Sequence, residues 1–224
     1  MKKISVIITN HNYERFLGRC IRSCLNQSIP TSEYEIIIVD DCSTDNSEEV
    51  IKSYLHNPSI SYIKLDENKG VSVASNVGIT KAVSPYVIRV DSDDYINQNT
   101  LLFLSEILNW NPEISFVYGD IIRVNEMEEK CERIHTNSVQ NLFKHGAGIM
   151  FRKTCLEAVG LYDEKIRNAE DFDLILRVMK NFDGYHIKLP LYRYYRHSSN
   201  MTNDVQERND WEEKVNIKHG VNIL

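Results

Sequence analysis

This chain predicts an α/β fold, with a mostly parallel central sheet flanked by helices, and three observations predict it. Four short Ile/Val-rich runs, Ile4 to Ile8, Ile36 to Val39, Ile60 to Leu65 and Tyr86 to Val90, alternate with helix-period segments through the first half. The runs are continuously apolar, as strands covered on both faces are. Each is followed by a polar cluster, and ligands of open α/β sheets bind outside the carboxyl ends of the strands. At 224 residues the chain is long enough for one sizeable core and short for two, so one domain with two halves sharing a sheet is expected.

The elements follow in order. Thr9-Asn10-His11-Asn12 closes the first run, and the next segment repeats apolar residues as a helix does, at Phe16/Leu17, Ile21 and Cys24/Leu25. The second run ends at Asp40-Asp41-Cys42-Ser43; Asp45 with Glu48 three residues later then offers a helix start, with Val50/Ile51 and Tyr54/Leu55 as its face. The third ends at Asp66-Glu67-Asn68-Lys69-Gly70, before a helix facing inward through Val73/Ala74, Val77 and Lys81/Ala82. The fourth ends at Asp91-Ser92-Asp93-Asp94, before a helix from Asn99 to Trp110. After Pro112 the rhythm changes: a strand over Ser115 to Ile122, a charged stretch Asn125 to Arg133, and Gly146-Ala147-Gly148 leading into Ile149-Met150-Phe151. A helix is expected to start near Asn168 and to bury Phe172, Ile175, Leu176 and Met179, and Trp211 suggests that a terminal helix docks.

A net charge of -6 argues against a general nucleic-acid binder, which carries a basic face. Five cysteines, without zinc-ligand spacing, form no disulfide framework; Cys20 and Cys24, one helical turn apart beside Phe16, Leu17, Ile21 and Leu25, read as core residues of a reduced compartment. The first apolar run is too short for a secretory signal and nothing else approaches a membrane span, so a cytoplasmic protein without a transmembrane segment is expected. The sequons Asn26-Gln27-Ser28 and Asn200-Met201-Thr202 are then coincidences.

The Asp91-Ser92-Asp93-Asp94 cluster carries the most chemistry. Closely spaced carboxylates repel one another, and a divalent cation relieves that; its natural client is a nucleotide diphosphate. A turn or helix cap is the alternative use of such residues, and Asp94 fits it.

In these blocks the chain resembles the family 2 glycosyltransferases of the GT-A fold, from about Ile4 to Thr202. Ser5-Val6-Ile7-Ile8-Thr9-Asn10, Val39-Asp40-Asp41-Cys42-Ser43-Thr44-Asp45, Asn68-Lys69-Gly70 and the Asp-x-Asp block at Asp91 look like its nucleotide-sugar half. Gly160-Leu161-Tyr162-Asp163-Glu164, Glu170-Asp171-Phe172-Asp173-Leu174 and Tyr194-Tyr195-Arg196-His197 look like its acceptor half. The resemblance implies a nucleotide-sugar half over about 1–112, an acceptor and catalytic half over about 113–203, and a helical tail over 204–224.

It further implies that Thr9 and His11 lie along the donor nucleotide and that Asp41 accepts from the base, with Asp40 as scaffold, against the alternative that both only organise the turn into the next helix. Asp91 contacts ribose or metal, Asp93 ligates Mn or Mg, and His197 reaches the metal or the pyrophosphate, unless it is an unliganded surface-loop histidine. Glu170 neighbours the sugar or acceptor. Asp171 is the catalytic base, against the alternative that it only stabilises a helix N-terminus after a capping Asn168. Arg193 and Arg196 screen the diphosphate or hold an anionic acceptor, unless their alternation merely divides two strand faces. Two departures stand out: His11 replaces a common aromatic, and Ala74-Ser75-Asn76 replaces Ala-Arg-Asn, removing a possible nucleotide contact.

The activity implied is inverting, metal-dependent transfer of a sugar from a UDP- or dTDP-type donor to a saccharide or glycolipid hydroxyl in cell-surface polysaccharide synthesis. A lipid-linked acceptor would be met at the inner membrane surface. The alternatives are a sugar nucleotidyltransferase, disfavoured by the lack of a Gly-rich basic loop after the first strand, and a non-catalytic nucleotide-sugar-binding relative.

Overall fold

The computed structural model describes residues 2–137, 142 and 146–221. Within them one sheet contains β1 (Ile4–Asn10), β2 (Tyr34–Asp40), β3 (Ile60–Lys64), β4 (Tyr86–Asp91), β5 (Tyr95–Ile96), β6 (Ile114–Val124), β7 (Lys130–Ile134), β8 (Met150–Arg152) and β9 (Asp183–Tyr195). The helices are α1 (Glu14–Leu25), α2 (Ser47–Lys52), α3 (Val71–Lys81), α4 (Thr100–Trp110), α5 (Lys153–Val159), α6 (Glu170–Met179) and α7 (Val205–His219).

The strand order is β3-β2-β1-β4-β8-β6-β9-β5, with β7 paired to β6. The four Ile/Val runs form the parallel stretch β3-β2-β1-β4, and β1 at its heart is buried at every residue. Ile4, Val6 and Ile8 join Leu17 and Ile21 of α1 on one face, while Ile7 joins Ala74 and Ile79 of α3 on the other. Beyond β4 the sheet is mixed: β8 runs antiparallel to β4 and β6, and β9 parallel to β6. Only the Ser92-Asp93-Asp94 turn separates β4 from β5, yet β5 pairs with β9 at the far end of the order. The sheet therefore folds back on itself and carries that turn into the gap between its two halves.

Several local expectations shift. The second helix ends at Lys52, so Tyr54 and Leu55 fall in the following turn and Leu55 is exposed. No capping box forms there, because Glu48 is drawn outward to Lys52 and Lys64. Asp45 instead accepts from the backbone N–H of both Ser47 (3.0 Å) and Glu14 (2.9 Å), joining the starts of α1 and α2. The buried residues of α3 are Ser72, Ala74, Ser75, Gly78 and Ile79, so that Val73 and Val77 of the predicted stripe fall to its flank. Small residues win here because the helix lies close on the sheet: a Cβ at Gly78 would sit 2.4 Å from Ile7 Cγ2.

The helix expected from Asn168 begins at Glu170 with Ala169 as its cap, and Met179 is exposed where the pattern predicted burial. Helix α7 docks as Trp211 suggested, through half-buried Trp211 and buried Val215, and through Lys218 and His219 on the buried Asp173 carboxylate at 2.6 and 2.8 Å. The charged stretch after Val124 is a turn leading into β7. Part of the predicted acceptor half, residues 138–141 and 143–145, lies outside the described residues, as do 222–224 of the tail. None of the described helices is long and apolar enough to cross a membrane.

Candidate active site

A cavity of about 390 Å³ opens at the carboxyl ends of the parallel strands. Thr9, His11, Asp41, Asp91, Asp93, Glu170 and Asp171 all line it, so residues from four sequence blocks meet at one place.

Thr9 is the buried end of β1. His11 Nδ1 lies 2.8 Å from the Asp41 carbonyl, which can only accept, so Nδ1 carries the proton and Nε2 accepts from Asn68 Nδ2 at 2.9 Å. The Asp41 carboxylate accepts the backbone N–H groups of Lys69 and Gly70, both at 2.7 Å, and so shapes the loop entering α3. Gly70 takes φ 90° there, a conformation glycine adopts freely. Asp40 is fully buried and braces Asn10 and Ser43, the scaffold role expected of it.

Asp93 and His197 come together from 104 residues apart, with His197 Nε2 3.0 Å from Asp93 Oδ2. Asn200 Nδ2 donates to the same oxygen at 3.0 Å. The His197 ring is held in place by Phe16, with centroids 4.3 Å apart, and by Ser199 Oγ 2.9 Å from Nδ1. Asn200 is buried, so its sequon is unusable by a glycan. Asp94 accepts the Tyr195 backbone N–H at 2.8 Å and ties the turn to β9, the structural use expected of it.

These residues fit a divalent cation in part. Asp93 Oδ2 and His197 Nε2, 3.0 Å apart, are hydrogen-bonded to each other, and a cation held by both would replace the proton between them. Asp91 Oδ1 is buried without a hydrogen bond, its charge met only by Arg89 Nε at 3.0 Å out of hydrogen-bond alignment. Among the described residues, however, no group of three or more His, Cys, Asp or Glu is arranged to hold an ion. Substrate oxygens and water would have to complete the shell, as is common for magnesium.

The other end of the cavity is organised by Arg89, which sequence reasoning passed over. Its guanidinium, 7% exposed, donates to Asp171 Oδ2 at 2.7 Å and lies 3.4 Å from Glu170 Oε1. Tyr162 donates its hydroxyl to Asp171 Oδ1 at 3.2 Å. Asp171 therefore faces a cation and a phenol rather than the free N–H groups of its own helix. A Cβ at Gly146 would lie 2.1 Å from Asp171 Cβ, so only glycine fits beneath that carboxylate. Burial, with Asp171 beside it, pushes Glu170 up to about 8 against the pull of Arg89. Burial likewise raises Asp91 to about 6, Arg89 opposing and Asp171 and Asp93 adding.

Ser75, where the family pattern has arginine, is buried and lines with Arg89, Gly146 and Tyr162 a small void beneath the site. The guanidinium of this region thus comes from β4. A signal for it existed: Arg89 is the lone charge inside the run Val87 to Val90. Asn168, expected as a helix cap, lines the cavity instead, with a buried Nδ2 that has no partner. Arg193 and Arg196 do not line the cavity: Arg193 donates to the Pro190 carbonyl at 2.7 Å and Arg196 to Thr202 Oγ1 at 3.1 Å.

Comparison with known proteins gives this geometry a lineage. The family model "Glycosyl transferase family 2" matches residues 5–163. Poly(ribitol-phosphate) β-N-acetylglucosaminyltransferase TarS of Staphylococcus aureus is 27% identical over 179 residues, 76% of this chain and 31% of that protein. Chondroitin synthase of Pasteurella multocida is 30% identical over 224 residues, 92% of this chain and 22% of that protein. This chain thus spans under a third of the length of these curated relatives. Among solved structures, S. aureus TarS 1-349 in complex with UDP-GlcNAc superposes with a TM-score of 0.82 at 20% identity, covering 96% of this chain and 66% of that one. The mannosyltransferase PcManGT of Pyrobaculum calidifontis, in complex with GDP-Man and Mn2+, gives 0.78 at 16%, covering 96% and 63%. With its strand-end cavity, its acidic turn and a family match over most of its length, the chain belongs to glycosyl transferase family 2 and has the GT-A fold.

Proposed function

We propose that this chain transfers a sugar from a nucleotide-diphosphate donor, UDP- or dTDP-type, to a saccharide or glycolipid hydroxyl, with inversion, in cell-surface polysaccharide synthesis. The observation that carries the reading is the convergence of Asp91, Asp93, Glu170 and Asp171 with Thr9 and Asp41 on one cavity at the strand ends. A solved relative holding UDP-GlcNAc and curated relatives named for polysaccharide synthesis support the donor type and setting. The reading divides the chain into a donor half over about 1–112, an acceptor half over about 113–203 and a helical tail. Five free cysteines fit a reduced compartment, and hence work on the cytoplasmic side, at the membrane surface where the acceptor is lipid-linked.

Thr9 and His11 flank the nucleotide, and Asp41, already holding the Lys69-Gly70 loop, turns its remaining lone pairs to an imide N–H of the base. Asp91 receives ribose hydroxyls. Asp93 and His197 would hold Mn or Mg, which when bound would neutralise charge on the departing diphosphate. The acceptor hydroxyl attacks the anomeric carbon as the bond to diphosphate breaks, and its proton passes to Asp171. Arg89 and Tyr162, bonded to its two oxygens, keep that carboxylate aimed. Glu170, neutral near pH 7, donates a hydrogen bond to a sugar hydroxyl, and the unpartnered Asn168 amide offers another.

A thermal-shift panel of nucleoside diphosphates with and without Mn tests the binding half of this reading. Turnover then distinguishes it from nucleotidyl transfer: nucleoside diphosphate must be released, and release of pyrophosphate would refute sugar transfer.

A further inference from the structure

The charged turn 125–129 between β6 and β7 lies outside the cavity, yet it reaches both segments that bring Asp93 and His197 together. Asn125 makes the turn rigid: its Oδ1 accepts the backbone N–H groups of Met127 and Glu129, both at 3.0 Å, while Glu128 takes φ 62°. From this frame Glu128 pairs with the Arg19 guanidinium, whose Nη2 donates to the Asp93 carbonyl at 2.9 Å. That guanidinium lies between the rings of Tyr95 and Tyr195, 4.6 and 3.9 Å from their centroids, which fixes its direction. On the other arm Glu126 Oε1 accepts the backbone N–H of Ser198, the residue after His197, at 3.0 Å. The Glu126 carbonyl also accepts the Tyr195 hydroxyl at 3.4 Å.

Asp93 and His197 are 104 residues apart, and one turn holds the backbone of each. We infer that turn 125–129, through Arg19 and Glu126, sets the Asp93–His197 separation for a divalent cation. Arg19, Glu126 and Glu128 are then positioning residues that touch neither ion nor substrate. The inference rests on the reading of Asp93 and His197 as the ion's side-chain ligands. Groups that orient metal ligands without binding the metal typically change affinity by about 10- to 100-fold when removed.

The test is Mn2+ affinity, read by electron paramagnetic resonance with saturating UDP. Arg19→Met keeps the packing between the tyrosines and loses the donors; Glu126→Ala loses the acceptor, and Glu126→Gln keeps it. Arg19→Met and Glu126→Ala are expected to weaken Mn2+ binding on the order of tenfold, with Glu126→Gln close to the parent. A merely structural role would lower the melting temperature of the first two and leave the Mn2+ affinity of the folded protein unmoved. Parent affinity in both, while Asp93→Ala loses Mn2+, overturns the positioning role and leaves the ligand reading standing. Parent affinity in Asp93→Ala overturns the ligand reading and this inference with it.

Discussion

At the scale of single residues, the division of labour between Asp93 and Asp171 makes the sharpest prediction. Asp171→Asn is expected to keep nucleoside-diphosphate affinity and to lower transfer by about 10²- to 10⁴-fold, the usual contribution of a general base. Asp93→Ala is expected to lose the Mn-dependent part of donor binding. Calorimetry beside a transfer assay checks both, and parent-rate transfer in both variants would remove the assignment.

Glu170 predicts a pH effect whose sign follows from its raised carboxyl. The folded protein holds that proton up to about pH 8, while the unfolded chain releases it near 4.3. The unfolded state therefore binds fewer protons across that window, and this group's contribution makes stability fall as pH rises through it. Glu170→Gln removes the titration, so the stability difference between pH 5 and pH 8.5 should shrink relative to the parent in urea unfolding. An unchanged difference would mean that Glu170 is ionised at neutral pH.

At the scale of elements, two packings are exposed to test. Asp173 anchors α7 through Lys218 and His219 and pairs with Arg177 of its own helix. Burial raises its pKa, but the bonds from Lys218 and His219 and the charge of Arg177 outweigh that and leave it lowered. Its contribution is thus complete above the ordinary carboxylate pKa near 4 and fades as pH falls through the lowered value. Asp173→Asn should cost about 2 kcal/mol, since charged hydrogen bonds are lost while the cations stay partly solvated. Hydrogen exchange should speed up first in α7, and an effect spread evenly over the chain would contradict the anchoring role.

Gly78 is the second case. Its Cβ clash with buried Ile7 lies between backbone-held elements, so Gly78→Ala should destabilise by about 1–3 kcal/mol despite alanine's better helix propensity. A neutral or stabilising result in thermal unfolding would show that α3 can lift from the sheet.

For the molecule as a whole, the cavity is lined from segments far apart in the chain: Thr9, Asp41 and Asp93 from strand ends in the first part, Glu170 and Asp171 from α6. A ligand that binds only this assembled state stabilises the fold by about 2.7 kcal/mol at a hundred times its Kd. For a domain of this size each kcal/mol is worth about 2–4 °C. Nucleoside diphosphate with Mn should therefore raise the melting temperature by about 5–11 °C in a single transition. Two separated transitions would show that the halves unfold independently.

The sequence by itself determined what is local: the four Ile/Val strands, the polar clusters at their ends, and the helix face of α1. Strand and helix periods are written within a few residues, and a strand end follows from where the apolar run stops. The ordered blocks also marked Thr9, Asp41, Asp91, Asp93, Glu170 and Asp171, which line the cavity. Only the tertiary structure decided that Arg89 meets Asp171 across 82 residues and that His197 meets Asp93 across 104. It alone turned the buried face of α3 to its small residues, moved Asn168 from a cap into the cavity, and drew Arg193 and Arg196 away from it. Those outcomes depend on how closely two elements approach and which buried charge lacks a partner. No local period encodes that distance, because it is set only when the sheet folds back and brings its ends together.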